Sequence, residues 1–299
     1  MPATHTHNES GTALQTGRIK LVECPRDAMQ GWPHLISTEQ KAAYINALLR
    51  VGFDTIDFGS FVSPKAIPQM ADTAAVLKKL DLSHTSSKLL AIIANERGAQ
   101  EAVIHEEIRY LGFPFSVSET FQQRNTNASI AASVIRVEEI QNLCIKNARE
   151  LVIYISMGFG NPYGDPYNEE IVFEWVEKLA DMGIGIVSLA DTVGLATPEQ
   201  VQRMTASLVK AFPQIETGVH LHSTPANWQQ KLEAALAAGC RRIDGALKGI
   251  GGCPMAGDDL VGNMDTERVI GYLQQKQLLP PINTGALATC SRLASTVFV

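Results

Sequence analysis

Two histidines in the segment VHLHS, His220 and His222, have the spacing of paired metal ligands. Side chains two positions apart on a β-strand point to the same face, so both imidazoles would face one side while Val219 and Leu221 pack on the other. A carboxylate such as Asp27 would complete a site for a divalent metal. Nitrogen and oxygen ligands without a thiolate favour a six-coordinate ion over tetrahedral zinc. The alternative is that the two histidines are hydrogen-bonded polar residues lining the interior of the fold.

A glycine-rich segment late in the chain, KGIGGCPMAGDDLVGN at residues 248–263, contains one cysteine, Cys253. The segment is too rich in turn formers to continue a strand or a helix, so we predict a mobile loop. From the sequence alone, the Cys253 thiol could be a zinc ligand, a nucleophile, a proton donor or an inert side chain.

Further polar residues follow other apolar runs at the points where strands would end. They are Arg26, Asp27 and Gln30 after the first run, Asp57 at the end of the second, and Asp191 and Thr192 after the sixth. Each alone is more often a turn residue or a helix cap than a catalytic group. Their shared position at strand ends is the stronger signal for a site. We interpret Arg26 and Asp27 as neighbours in a loop, with a surface salt bridge as the alternative.

Eight short apolar or β-branched runs, each followed by a helical pattern, provide the elements that would position these residues. The runs are residues 19–23, 55–60, 88–94, 108–113, 151–156, 186–190, 218–223 and 242–247. Eight strand–helix units without a Pro- or Ser-rich linker favour one (β/α)8 TIM barrel. A doubly wound open sheet is the alternative, but no GxGxxG turn follows the first run. Active sites of TIM barrels lie at the C-terminal ends of the strands, where these polar residues collect.

Two helices carry start signals that are independent of the apolar pattern. Ser37 with Gln40 fits a capping box. Thr197, followed by Pro198 and Gln200, predicts a second helix start.

Composition limits the class of protein. The chain has 299 residues, 45% hydrophobic and 19% charged, with a formal net charge of -6, which predicts a globular protein with a large core. Because Lys and Arg do not cluster, we expect no nucleic-acid partner, and no window approaches the ~20 apolar residues of a membrane span. The five cysteines contain no CxxC pair, which favours a reducing, cytoplasmic location. We expect residues 1–17 to be a flexible arm and residues 18–299 a single domain.

Six motifs along residues 19–275 resemble, in order, the 3-hydroxy-3-methylglutaryl-coenzyme A (HMG-CoA) lyase family of TIM-barrel enzymes. The motifs are VECPRDAMQ, FGSFVSPKAIPQMAD, SETFQQRNTNAS, SLADTVGLATP, VHLHSTPAN and GIGGCPMAGDDLVGNMDTE. This family is related to isopropylmalate and citramalate synthases, which make or break carbon–carbon bonds next to a carbonyl. The resemblance implies cleavage of HMG-CoA to acetoacetate and acetyl-CoA, a place in leucine degradation and ketone-body formation, and a homodimer.

The resemblance also implies a role for each site residue. A divalent cation, Mg²⁺ or Mn²⁺, would be held by Asp27, His220, His222 and Asn263. Arg26 would stabilise an enolate, Cys253 would donate a proton, and Asp191 would be the active-site aspartate, with Asp57 in place of a glutamate. Gln30 and Thr192 would contact the substrate. The hydroxyl proton of the substrate would pass to His220, to Asp27 or to a water.

Several positions near the expected substrate depart from the family pattern. They are Gly31 and Trp32 in place of an amide and an acid, Ala190 in place of glycine, Ser223 in place of aspartate, and the loop acids Asp258 and Asp259. Two acids near the mouth would disfavour the anionic tail of coenzyme A, so an aldolase or lyase acting on a free hydroxy acid or keto acid is an alternative. A barrel that binds metal and metabolite without turnover is a second alternative. Trp32 would either stack on a ligand or pack against the protein.

Overall fold

A computed structural model describes residues 17–252 and 261–299 of the chain. Within these residues, eight parallel strands form a closed barrel in chain order, with each strand paired to the next and the eighth to the first. The predicted (β/α)8 barrel is therefore confirmed. The strands β1 to β8 are Lys20–Glu23, Thr55–Ser60, Lys88–Ile92, Ile108–Ser116, Glu150–Ser156, Ile186–Asp191, Glu216–Leu221 and Arg242–Gly245.

Helices surround the barrel and bury their apolar faces against it. In the described part of the chain, α1 to α11 are Pro25–Gln30, Thr38–Leu48, Thr73–Leu77, Glu96–Val103, Glu119–Thr126, Ile130–Lys146, Glu169–Asp181, Pro198–Ala211, Trp228–Ala237, Thr266–Gln275 and Thr284–Val297. None of the helices in the described ranges combines the length and apolarity that crossing a membrane requires.

The predicted start signals of two helices are confirmed. Ser37 accepts from the Gln40 backbone N–H, and the Gln40 side chain accepts from Ser37 N–H, which completes a capping box before α2. Thr197 and Gln200 form the same box before α8, with Pro198 at its first position. These boxes fix where two helices leave the C-terminal mouth of the barrel.

Two local interpretations were wrong. Arg26 and Asp27 lie in the first turn of α1 rather than in a loop, because Pro25 takes the first helical position, where its fixed φ favours a helix start. Strand β7 ends at Leu221, so His222 lies just beyond it and forms an antiparallel bridge with Asn263. Both differences concern residues of the candidate site.

The interior of the barrel combines apolar and polar side chains. Leu90, Tyr110, Val152, Tyr154 and Ile186 form a small buried cluster inside it. The fully buried Arg242 lies beside them, and its guanidinium carbon is 5.6 Å from the centre of the Tyr110 ring. The glycine at 218 leaves room for the Arg242 side chain, because a Cβ at that position would lie 3.0–3.2 Å from it.

Trp32 packs against the C-terminal end of the chain. Its ring meets Phe298 edge-on, with centroids 5.2 Å apart, and Phe298 also meets Tyr44 of α2 at 5.9 Å. The packing interpretation of Trp32 is therefore supported over stacking on a ligand.

Candidate active site

Three potential metal ligands converge at the C-terminal mouth of the barrel. Asp27 comes from α1, His220 from β7 and His222 from the residue after β7, and their ligand atoms all lie within 4.8 Å of one another. The two imidazole rings have centroids 5.4 Å apart. Asp27 and His222 are buried, with 5% and 3% of their surface exposed, so water competes little for them.

Asn263 joins this cluster through the bridge to His222. Its Nδ2 donates to Asp27 Oδ2 at 2.7 Å and to the Ile250 carbonyl at 2.9 Å. Gly251 makes room for that amide, since a Cβ at this position would lie 2.4 Å from Asn263 Nδ2, and its φ of +112° favours glycine. The chain after β8 is thereby held close to the candidate ligands.

Arg26 is fixed beside the cluster by two carboxylates. Its Nε donates to both oxygens of Asp57, at 3.2 and 3.0 Å, and a terminal nitrogen reaches Asp57 Oδ2 at 2.5 Å. The other terminal nitrogen donates to Asp27 Oδ1 at 2.9 Å, and Gln30 Nε2 donates to the same oxygen at 3.0 Å. Because these hydrogen bonds fix its orientation, the guanidinium is a preorganised cation at the C-terminal mouth of the barrel.

The two carboxylates, Asp27 and Asp57, differ in pKa because their surroundings differ. Burial alone would raise the pKa of Asp27, but Arg26 and the two histidines lower it to about 2. Burial raises the pKa of Asp57 to about 6, and Arg26 offsets part of that rise. Both groups are therefore mainly ionised at neutral pH.

The two histidines also differ. Burial and the neighbouring His220 together lower the pKa of His222 to about 4, so its ring is neutral at neutral pH. Burial would lower the pKa of His220 too, but its hydrogen bond to Asp244 and the charge of that carboxylate raise it above the ordinary value.

Asp244 was not predicted to belong to the site. This residue of β8 has 1% exposure, and its Oδ2 lies 3.2 Å from His220 Nδ1. Within the described residues, its Oδ1 is buried without a hydrogen-bond partner. A neutral imidazole that donates its Nδ1–H to a carboxylate has Nε2 free for a metal, an arrangement common behind metal-bound histidines. The sequence signal that could have identified Asp244 is an aspartate inside an apolar strand.

Cys24 forms a second group of potential ligands with His220 and Asp244. Burial raises the pKa of its thiol well above the ordinary value, and nearby carboxylates add to that rise. A protonated thiol is a poor metal ligand. Asp27, His220 and His222 are the better set.

Asp191 and Thr192 lie apart from this cluster. In the pairing of β6 with β7, Ala190 is opposite His220 and Asp191 is opposite Leu221, so Asp191 points toward the helices rather than into the barrel. Its Oδ2 lies 2.6 Å from Lys231 Nζ and its Oδ1 accepts from Ala196 N–H at 3.0 Å. Thr192 Oγ1 accepts from Met157 N–H at 2.8 Å, which ties the ends of β6 and β5 together.

The donor set fits a divalent cation that accepts nitrogen and oxygen. Asp27 is ionised and His222 is neutral, which are the forms that bind a metal, and the side-chain oxygen of Asn263 is a further candidate. Cys253, Asp258 and Asp259 lie outside the described residues, as do residues 1–16 of the predicted arm.

Residues 18–294 match the HMGL-like family. The chain belongs to this family. Hydroxymethylglutaryl-CoA lyase YngG of Bacillus subtilis is 32% identical over 271 residues, which cover 90% of this chain and 89% of that protein. The human protein named 3-hydroxy-3-methylglutaryl-CoA lyase, cytoplasmic, is 34% identical over 272 residues, covering 89% of this chain and 71% of the human one.

Solved structures agree with the HMGL-like assignment. An HMG-CoA lyase from Acinetobacter baumannii, in complex with coenzyme A and 3-methylmalate, aligns with a TM-score of 0.87 and 31% identity, covering 94% of this chain and 91% of that one. The family predicted from the six motifs is confirmed. Asp244 and Lys231 of the HMGL-like site fall outside those motifs, which is why the resemblance did not identify them.

Proposed function

We propose that this protein is a divalent-metal-dependent lyase that cleaves HMG-CoA to acetoacetate and acetyl-CoA. The observation that carries the proposal is the convergence of Asp27, His220 and His222 beside a fixed Arg26, at the mouth of a barrel of the HMGL-like family. The relatives named HMG-CoA lyases support the choice of substrate.

Asp27, His220, His222 and Asn263 would hold Mg²⁺ or Mn²⁺. A bound cation would lower the pKa of the substrate hydroxyl and polarise the oxygen that becomes the ketone of acetoacetate. With its Nδ1–H on Asp244 and its Nε2 on the cation, His220 would have no free nitrogen for the hydroxyl proton, so we assign that proton to Asp27 or to a water molecule. Cleavage of the carbon–carbon bond then leaves its electron pair on the acetyl-CoA fragment as an enolate.

Arg26 would meet the negative charge that develops on the thioester oxygen. Its guanidinium is already oriented by Asp57 and Asp27, so little reorganisation is needed during the reaction. By the same hydrogen bonds, Asp57 would orient Arg26 and Gln30 would orient Asp27 as a metal ligand. The family resemblance also implies that Gln30 contacts the substrate.

Cys253 would return a proton to the enolate carbon and complete acetyl-CoA. This role rests on the family resemblance, as do the roles of Asp191 as an active-site residue and of Thr192 in substrate binding. We also propose a cytoplasmic homodimer within leucine degradation and ketone-body formation. The cysteines of the described chain, Cys24, Cys144, Cys240 and Cys290, are free and buried, which supports a reducing compartment.

An assay of the purified protein with HMG-CoA tests the proposal. We expect acetoacetate and acetyl-CoA to form in the presence of Mg²⁺ or Mn²⁺ and to stop forming when a chelator is added. His222→Ala serves as the control, because it removes a ligand without touching Arg26. The Acinetobacter baumannii structure holds coenzyme A together with 3-methylmalate. Free 3-methylmalate and its coenzyme A thioester therefore belong in the same assay, and turnover of these alone would contradict HMG-CoA as the substrate.

A further inference from the structure

Lys231, near the start of α9, is a fully buried lysine that the family motifs do not include. Its side chain has 1% exposure, and its Nζ lies 2.6 Å from Asp191 Oδ2. The same ammonium donates to the carbonyl of His222 at 2.9 Å and lies 3.4 Å from the carbonyl of Gly194. Three acceptors thus match the three N–H donors of one ammonium.

The acceptors belong to two different parts of the mouth. His222 is a proposed metal ligand directly after β7, whereas Asp191 and Gly194 belong to the turn after β6, where Gly194 N–H also donates to the Asp191 carbonyl at 3.0 Å. Lys231 therefore connects the ends of two neighbouring strands from the helical side. Because its ammonium donates to the main-chain carbonyl of His222, the imidazole of His222 remains free to face Asp27 and His220.

We propose that Lys231 is a positioning residue for the metal centre, which fixes the His222 backbone through its carbonyl and uses Asp191 as its buried counter-ion. This inference rests on the metal site of the proposed function. It assigns Asp191 a structural partner in Lys231 rather than contact with the substrate. Asp191 then acts on the metal centre indirectly, through its ion pair with Lys231 and through the turn at residues 191–196.

The charge balance explains why the two residues must be considered together. Removing one partner of a buried ion pair leaves an unpaired charge and strongly destabilises a protein, whereas replacing both charges is tolerated much better. Lys231→Met alone would therefore lower stability for a reason unrelated to the metal. The informative variant is Asp191→Asn with Lys231→Met, which removes both charges and keeps an acceptor for Ala196 N–H.

The test is calorimetric titration of the metal-free full-length protein with Mn²⁺ in the absence of substrate, together with the electron paramagnetic resonance spectrum of the bound Mn²⁺. Loss of an outer contact to a metal ligand typically weakens metal affinity about 10- to 100-fold. We expect the double variant to fold, to bind Mn²⁺ about 10-fold more weakly and to show an altered spectrum. If the double variant does not fold, Asp191→Asn with Lys231→Gln takes its place. The glutamine amide ends one bond earlier than the lysine ammonium, so it loses the contact with the His222 carbonyl but can still pair with the asparagine at 191.

The control is a second buried lysine that pairs with a carboxylate and a main-chain carbonyl. Lys41 pairs with Asp72 at 2.7 Å and with the Gln69 carbonyl, and has 3% exposure. Lys41→Met with Asp72→Asn should retain the Mn²⁺ affinity of the wild type. Wild-type affinity in the folded Lys231 variants would overturn the proposal, as would a wild-type protein that binds no Mn²⁺. Mn²⁺ binding without HMG-CoA cleavage would instead count against the proposed substrate alone.

Discussion

Arg26 is the residue on which the charge balance of the mouth depends. Its guanidinium is in direct contact with both Asp27 and Asp57, and all three side chains are buried. Its planar fork of donors satisfies two carboxylates at once, which a lysine ammonium cannot reproduce with the same geometry. The orientation of Arg26 and the low pKa of Asp27 therefore have a common origin.

Arg26→Lys is expected to lower kcat by about 100- to 1,000-fold, the usual effect of losing an oriented donor to a developing oxyanion. Mn²⁺ affinity should change little, because a positive charge remains beside Asp27. Steady-state kinetics with HMG-CoA and Mn²⁺ calorimetry measure the two quantities separately. Parallel loss of both would mean that Arg26 mainly supports the metal ligands.

Asp244→Ala is expected to weaken Mn²⁺ binding by about 10- to 100-fold, because His220 loses the carboxylate that fixes its tautomer and ring orientation. Asp244→Asn keeps an acceptor oxygen and should fall between the alanine variant and the wild type. Ser188→Ala, at another fully buried position of the barrel, is the control. Equal affinities in all four proteins would rule out a role for Asp244 in metal binding.

At the scale of elements, the end of α11 is attached to the segment that follows α1. Phe298 lies between Trp32 and Tyr44, so it links the C-terminus to the neighbourhood of Arg26 and Asp27 through packing alone. Leaving a cavity at such a position costs stability but does not alter a substrate contact.

Phe298→Ala is therefore expected to reduce the free energy of unfolding by about 3 kcal/mol. The KM for HMG-CoA should stay at the wild-type value, because Trp32 packs against protein. Urea unfolding and steady-state kinetics provide the two measurements, with Val299→Ala, at an exposed position, as the control. A large rise in KM with little loss of stability would restore Trp32 as a substrate contact.

The strands could be predicted closely because each is a short run rich in apolar residues, and most of these runs end at or just before a polar residue. The run at residues 55–60 matches β2, and the others differ from the observed strands by a few residues at their ends. The direction of Asp191 could not be predicted, since it depends on β6 register relative to β7. The burial of Lys231 could not be predicted either, because it depends on contacts with residues 191–194 that form only when the chain folds.

At the scale of the whole molecule, one buried acid links the first strand to the chain that follows the last strand. Glu23, at the end of β1, accepts from Leu247 N–H at 2.9 Å and from the Thr266 hydroxyl at 2.6 Å. These partners follow the last strand and begin α10, so the hydrogen bonds join residues more than two hundred positions apart. The protonation state of this carboxyl group therefore affects how strongly the two ends of the chain are held together.

Burial raises the pKa of Glu23 to about 8 from an ordinary value of 4.5, although its two hydrogen bonds partly oppose that rise. The folded protein thus retains a proton that the unfolded chain has released, so the stabilisation is complete below pH 4.5 and is lost as the pH rises through about 8. One proton of difference corresponds to a slope of about 1.4 kcal/mol per pH unit. Glu23→Gln should remove this decline in the free energy of unfolding. Urea unfolding between pH 5.5 and 8.5, with chelator present, should therefore give a flatter pH profile for Glu23→Gln than for the wild type. Glu106→Gln, at an exposed position, is the control and should keep the wild-type profile. The same slope in all three proteins would show that Glu23 is already ionised in the folded state across this range.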